Sequence, residues 1–116
     1  MKKTVILKLE VVGHHNYPTP PNAVNFLRYE HRHIFKIEVG VSVSHNNRET
    51  EIFLEQAKIK KYLNDKFKCK HLKEYQYLIF YNMSCEDIAE DIINTDENYT
   101  YVEVLEDGFG GAKVER

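Results

Sequence analysis

Tryptophan is absent from this chain, and cysteine, proline and glycine are scarce: two, three and five among 116 residues. Two cysteines, Cys69 and Cys85, cannot build a disulfide framework, and they lack the CxxC spacing of a thiolate zinc site. All three prolines (Pro18, Pro20, Pro21) fall in one connection, 14–24, which therefore cannot be a helix or an inner strand. No sign of charge dominates. The formal net charge is -2 with 29% charged residues of both signs interspersed, whereas a nucleic-acid or membrane-surface protein shows a basic face. No apolar run approaches the ~18–20 residues of a transmembrane helix. Met1-Lys2-Lys3 leads straight into an alternating segment, so no secretory leader is expected and the expected setting is the cytoplasm. The length fits a single domain, 1–116, with a modest core; repeats, linkers and low-complexity tracts are missing.

What is present is alternation. From residue 31 the odd positions read His31, His33, Phe35, Ile37, Val39, Val41 and Val43, and the even ones Arg32, Ile34, Lys36, Glu38, Gly40 and Ser42. Successive side chains of a strand point to opposite faces, so His31 and His33 leave on the same, apolar side, ~6–7 Å apart. Two imidazoles so placed can converge on one metal ion, and neutral histidine is the commonest metal ligand. Near the N-terminus Val5, Leu7, Leu9 and Val11 form a second apolar face, which extends past Gly13 to His15, while His14 is expected to face solvent. Three histidines plus water are the composition of an open zinc site. The same three residues also suit a packed, metal-free face.

The remaining periodicity gives strands over about 3–13 and 31–44, a polar turn at 45–48 and a candidate third strand at 49–54. A helix is expected over about 55–67, with an apolar stripe of Ala57, Ile59, Tyr62, Leu63 and Phe67. Residues 68–74 read as a charged loop and 77–81 as a short apolar segment. Ser84 offers an N-cap with Asp87 in capping-box register, opening a second helix whose inner face is Ile88, Ala89, Ile92 and Ile93. A last strand is expected over 99–105, followed by a mobile glycine-rich turn, 107–111. The expected class is α+β: a four-stranded antiparallel sheet with two helices on one face.

With three histidines in place, the chain resembles the 6-pyruvoyl-tetrahydropterin and 6-carboxy-tetrahydropterin synthase family of the tunnelling fold. The pieces that carry the resemblance are His15-Asn16-Tyr17-Pro18 after strand one, His31-Arg32-His33 opening strand two, Met83-Ser84-Cys85-Glu86 at a helix start, and Val104-Leu105-Glu106 ending the last strand. The resemblance implies zinc on His15, His31 and His33, and a pterin- or purine-like ligand whose ring edge is held by Glu106 through charge-assisted bonds. It further implies Glu86 as a second pocket residue, or as an acid favoured by the helix dipole. It also implies a homo-oligomer, a trimer or a pair of trimers, whose paired edge strands close a barrel.

The departures are equally specific. Leu27 stands where the family carries a proton-transferring cysteine, and His71 lacks the aspartate that precedes the family's later histidine. Cys85, in a first helical turn, is a substitute base or a small core residue. Two readings stay open: a zinc-dependent lyase-type enzyme acting on dihydroneopterin triphosphate or a relative, and a binder that sequesters a purine-containing nucleotide without turnover. For the binder, Arg28, Arg32, Arg48 and Lys113 are the candidate phosphate contacts.

Overall fold

A computed structural model of the chain describes residues 1–68, 70–71 and 76–116. Its strands are β1 (Lys3–His15), β2 (His31–Val43), β3 (Lys70–His71), β4 (Gln76–Tyr81), β5 (Tyr99–Glu106) and β6 (Gly110–Glu115). Two α-helices, α1 (Ile52–Phe67) and α2 (Cys85–Ile93), and a 3-10 helix (Asn22–Arg28) complete the fold. The sheet runs β4-β1-β2-β5-β6, with the two-residue β3 added outside β4. It is mixed: β4 lies parallel to β1, and the other pairings are antiparallel. The class is α+β, and the sheet is open.

Alternation places the core. Leu7 and Leu9 of β1, Phe35, Ile37, Val39 and Val41 of β2, and Val102 and Val104 of β5 share one buried cluster with Ile59, Leu63 and Phe67 of α1 and Ile88, Ala89, Ile92 and Ile93 of α2. The other face is polar and laced across strands, with Tyr101 donating to Glu38 at 2.8 Å and Lys113 lying 4.6 Å from the Tyr101 ring centre. The α2 start is as its sequence suggests: the Ser84 hydroxyl accepts from the Asp87 N–H at 3.1 Å, and the Asp87 carboxylate accepts from the Ser84 N–H at 3.0 Å.

Three expectations are corrected. The sheet is neither four-stranded nor all antiparallel, because the apolar segment at 77–81 follows α1 and returns alongside β1 in the same direction. The segment 49–54 is not a strand. Glu49 instead closes the preceding turn by accepting from the Ser44 N–H (2.9 Å) and hydroxyl (2.7 Å), and Glu51 caps α1 by accepting from the N–H of Phe53 at 2.9 Å. The glycine-rich tail is not merely a turn: Asp107 and Gly108 have positive φ (54° and 81°), and from Gly110 the chain runs back along β5 as β6. Of the stretch 68–74 expected as a charged loop, Lys70 and His71 form β3, while Cys69 and residues 72–74 lie outside the described residues.

The β5–β6 hairpin closes tightly at one glycine and not at its neighbour. A Cβ on Gly111 would stand 1.8 Å from the Val104 carbonyl oxygen, and one on Gly110 would meet nothing within 4 Å. Gly111→Ala is therefore expected to destabilise the fold by about 2–3 kcal/mol and Gly110→Ala by no more than ~0.5 kcal/mol. Urea unfolding midpoints check this; equal midpoints for the two variants would show that β6 does not lie against β5 in this way.

Candidate metal centre

The β1–β2 register places His15 directly opposite His31 and Gly13 opposite His33. All three histidines then rise from the core face at the same end of the sheet. Their rings form a triangle, with centroids 4.6 Å apart for His15–His31, 5.2 Å for His15–His33 and 4.9 Å for His31–His33. Phe35, two residues beyond His33, meets His15 edge-on at 5.2 Å and forms the apolar floor.

Each ring is aimed by an acceptor behind it. The Nδ1–H of His15 donates to the Met83 carbonyl (2.8 Å), that of His31 to the Tyr29 carbonyl (2.8 Å) and that of His33 to the Asp107 carboxylate (2.7 Å). Carbonyls and carboxylates only accept, so Nδ1 carries the proton in each ring. With Nδ1 spent on these acceptors, it is Nε2 of each ring that is left to meet a metal, which is how metal-binding histidines are oriented. His15 is the one buried polar residue among the described residues, 7% exposed. Burial outweighs its hydrogen bond to Met83 and holds it below the ordinary imidazole range, with His31 and His33 pushing the same way. That favours the neutral form a metal needs.

Glu106 completes the group. Residue 106 lies opposite Phe35 in the β2–β5 ladder, on the same face as the histidines. Its Oε2 is 2.7 Å from His33 Nε2 and 3.7 Å from His15 Nε2. One ligand atom from each of His15, His31, His33 and Glu106 can be chosen so that all lie within 4.8 Å of one another, close enough to share one ion. The donor set, three imidazole nitrogens and a carboxylate oxygen, suits a divalent transition metal.

The centre borders a pocket of ≈ 600 Å³, lined among others by His15, His31, Leu27, Cys85, Glu86 and Glu106. Both carboxylates singled out from the sequence therefore face the pocket, Glu86 from the first turn of α2. Cys85 is buried, and its thiol donates to Glu106 Oε1 at 3.5 Å. Burial first, and then the Glu106 charge, push that thiol up to about 12, so in the metal-free protein it stays protonated and is poorly suited to act as a base. His14 does not simply face solvent. It stacks on Tyr77 at 4.2 Å, which β4 brings alongside β1 in the sheet, and sits 3.0 Å from Glu30. Arg28, Arg32, Arg48 and Lys113 are not brought together at this pocket.

The acceptors behind the rings are the residues that sequence reasoning missed. Met83 and Tyr29 act through backbone carbonyls, for which side-chain identity carries no signal. Asp107 could have been found. Alternation would turn it away from the Glu106 face, but the Asp-Gly pair marks a turn, and a left-handed Asp107 brings its carboxylate back to His33 and to the Ile34 N–H. Those two bonds, the Ile34 N–H foremost, hold its carboxyl below the usual range. No family model matches this chain, and no curated protein matches it.

The Cys85 environment is directly testable. In a Cys69→Ser background at pH 8, iodoacetamide is expected to leave Cys85 unmodified in the folded protein and to label it fully once urea unfolds the chain. Labelling of the folded protein at the rate of a small free thiol would contradict the buried, protonated thiol.

Proposed function

We propose that this chain carries a zinc centre on His15, His31 and His33 that serves an adjoining pocket for a small planar heterocycle of pterin or purine type. The observation that carries the metal reading is that all three Nδ1–H groups are already spent on outer acceptors, in a group whose ligand atoms lie within 4.8 Å of one another. Zinc is favoured by the imidazole-rich donor set. The ligand class rests on the resemblance to the pterin synthases and on two carboxylates at the pocket, Glu86 and Glu106, since a carboxylate can accept paired N–H bonds from an amidine edge. The resemblance also carries assembly into a trimer or paired trimers, in which the two open edges of the sheet, beyond β4 and at β6, would pair between copies and close a barrel.

Bound zinc would supply a Lewis acid that holds and polarises a ligand oxygen. The chain's own groups orient the imidazoles, exclude water through Phe35 and Leu27, and keep Cys85 as a thiol. A second reading, binding without turnover, is favoured by one specific observation. Leu27 lines the pocket at the position where the resemblance expects a proton-transferring cysteine, and an alkyl side chain moves no proton.

Metal analysis tests the proposal. Wild-type protein is expected to hold about one zinc per chain and the His31→Ala, His33→Ala double variant none; no metal in either would remove the centre and the function built on it. Asp107→Asn, which spares the three ligands, is expected to weaken zinc binding about 10–100-fold through loss of the His33 orienting bond. A chelator competition titration reads that change, and an unaltered affinity would show that Asp107 does not set the ring.

A further inference from the structure

Three histidines alone would leave a tetrahedral ion one position for water or substrate. Here a carboxylate oxygen stands beside the three rings. Glu106 ends β5 on the histidine face, and the next residue turns left-handed to place the Asp107 carboxylate behind His33. The Glu106 carboxylate is thereby bracketed. Its Oε1 accepts from the buried Cys85 thiol at 3.5 Å, while its Oε2 is turned to the rings, 2.7 Å from His33 Nε2 and 3.7 Å from His15 Nε2. At 2.7 Å the His33 contact has the length of a hydrogen bond, yet His33 Nε2, shut off from solvent, has no hydrogen-bond partner. The oxygen lies close to that nitrogen but off the direction a ring N–H would take to reach it. A nitrogen and a carboxylate oxygen this close without a hydrogen bond between them are the arrangement that a shared cation would accommodate.

The geometry points to Glu106 as the fourth protein ligand of the metal, so that the resting centre is a closed site of three imidazoles and one carboxylate joining the ends of β1, β2 and β5. This rests on the metal reading proposed above and changes the duty assigned to Glu106. An oxygen committed to the ion, with its partner oxygen on a thiol, cannot also present both oxygens to the edge of a ring. A ligand that reaches the metal must then displace Glu106 or add a fifth bond. The metal is also a staple between three strand ends, and its binding raises the unfolding temperature.

The test uses the full chain stripped of metal and reloaded with zinc alone or with cobalt(II) as a spectroscopic probe. In the wild-type protein the cobalt absorption is expected to be that of a filled four-coordinate site and to stay unmoved when azide, a small anionic ligand, is added. In Glu106→Gln, checked by circular dichroism to be folded, zinc affinity is expected to fall at least tenfold and the cobalt spectrum to shift with azide. Glu10→Gln, which removes one negative charge from the polar face, is expected to change neither. A wild-type spectrum that moves with azide, or a Glu106→Gln variant with wild-type affinity and spectrum, overturns the assignment and returns the site to an open three-histidine centre. The wild-type azide titration decides the matter even if the variant fails to fold. A wild-type chain that takes up neither metal overturns the metal reading itself, and this inference with it.

Discussion

Everything at the candidate centre depends on the register of one strand pair. β1 and β2 are matched residue for residue from Lys3↔Val43 to His15↔His31 without a bulge. A slip of one residue would turn every side chain of one strand to the other face. Leu7 and Leu9 would then leave the core, or Phe35, Ile37, Val39 and Val41 would. Each of these side chains is buried, and burying one such side chain is worth about 1.5–3 kcal/mol. Core packing therefore penalises the slip several times over, and the histidines inherit a position that their own chemistry need not enforce. The three rings are extensions of two apolar stripes, placed where those stripes run out at the sheet end.

Position alone does not aim a ring, and the aiming groups come from less regular backbone. Tyr81 and Asp107 both have positive φ, 56° and 54°, which costs a non-glycine residue roughly 1–2 kcal/mol. Each adjoins an orienting contact. After Tyr81 the chain turns so that the Met83 N–H donates to the Phe80 carbonyl (3.1 Å) and the Met83 carbonyl accepts from His15. Asp107 holds His33 directly, and its own N–H donates to the Ile34 carbonyl at 2.8 Å. Local strain at these two turns is thus coupled to the two rings nearest Glu106, the pattern expected where surrounding structure over-determines a functional site.

The strands that build the centre were legible because period-2 alternation is a strong signal when one face is buried. It gave the common face of His31 and His33, the parity of His15 and the existence of β5. The capping box at Ser84 was legible for the same local reason. The failures share a cause as well. Glu49 and Glu51 each satisfy backbone N–H groups through a side chain, and these local bonds override the strand tendency of 49–54. The parallel docking of β4 depends on where α1 delivers the chain, which no local pattern records. Glu106 was singled out through the resemblance, but its proximity to His33 depends on the pairing of β2 with β5, a contact between segments some 70 residues apart.

Charge decides what such a pocket can read. Among the described residues lining it, Glu86 and Glu106 are the carboxylates, and no lysine or arginine is present. Without metal the pocket is acidic, and Asp107 adds a further negative charge behind His33. A divalent ion held by the three imidazoles would offset Glu106 and Asp107 together and become the positive element beside the pocket. On the reading proposed here, metal and ligand are then linked, because any electron-rich group that enters must be met by the ion and not by a side chain. Two of the candidate phosphate contacts are placed elsewhere: Arg48 borders a separate cavity near the 45–51 turn, and Lys113 is engaged by Glu115 at 3.0 Å and by the Tyr101 ring. On that same reading, one copy of this chain would recognise an uncharged, N–H-bearing ring and a metal-seeking oxygen, and a phosphorylated tail would have to project beyond this pocket.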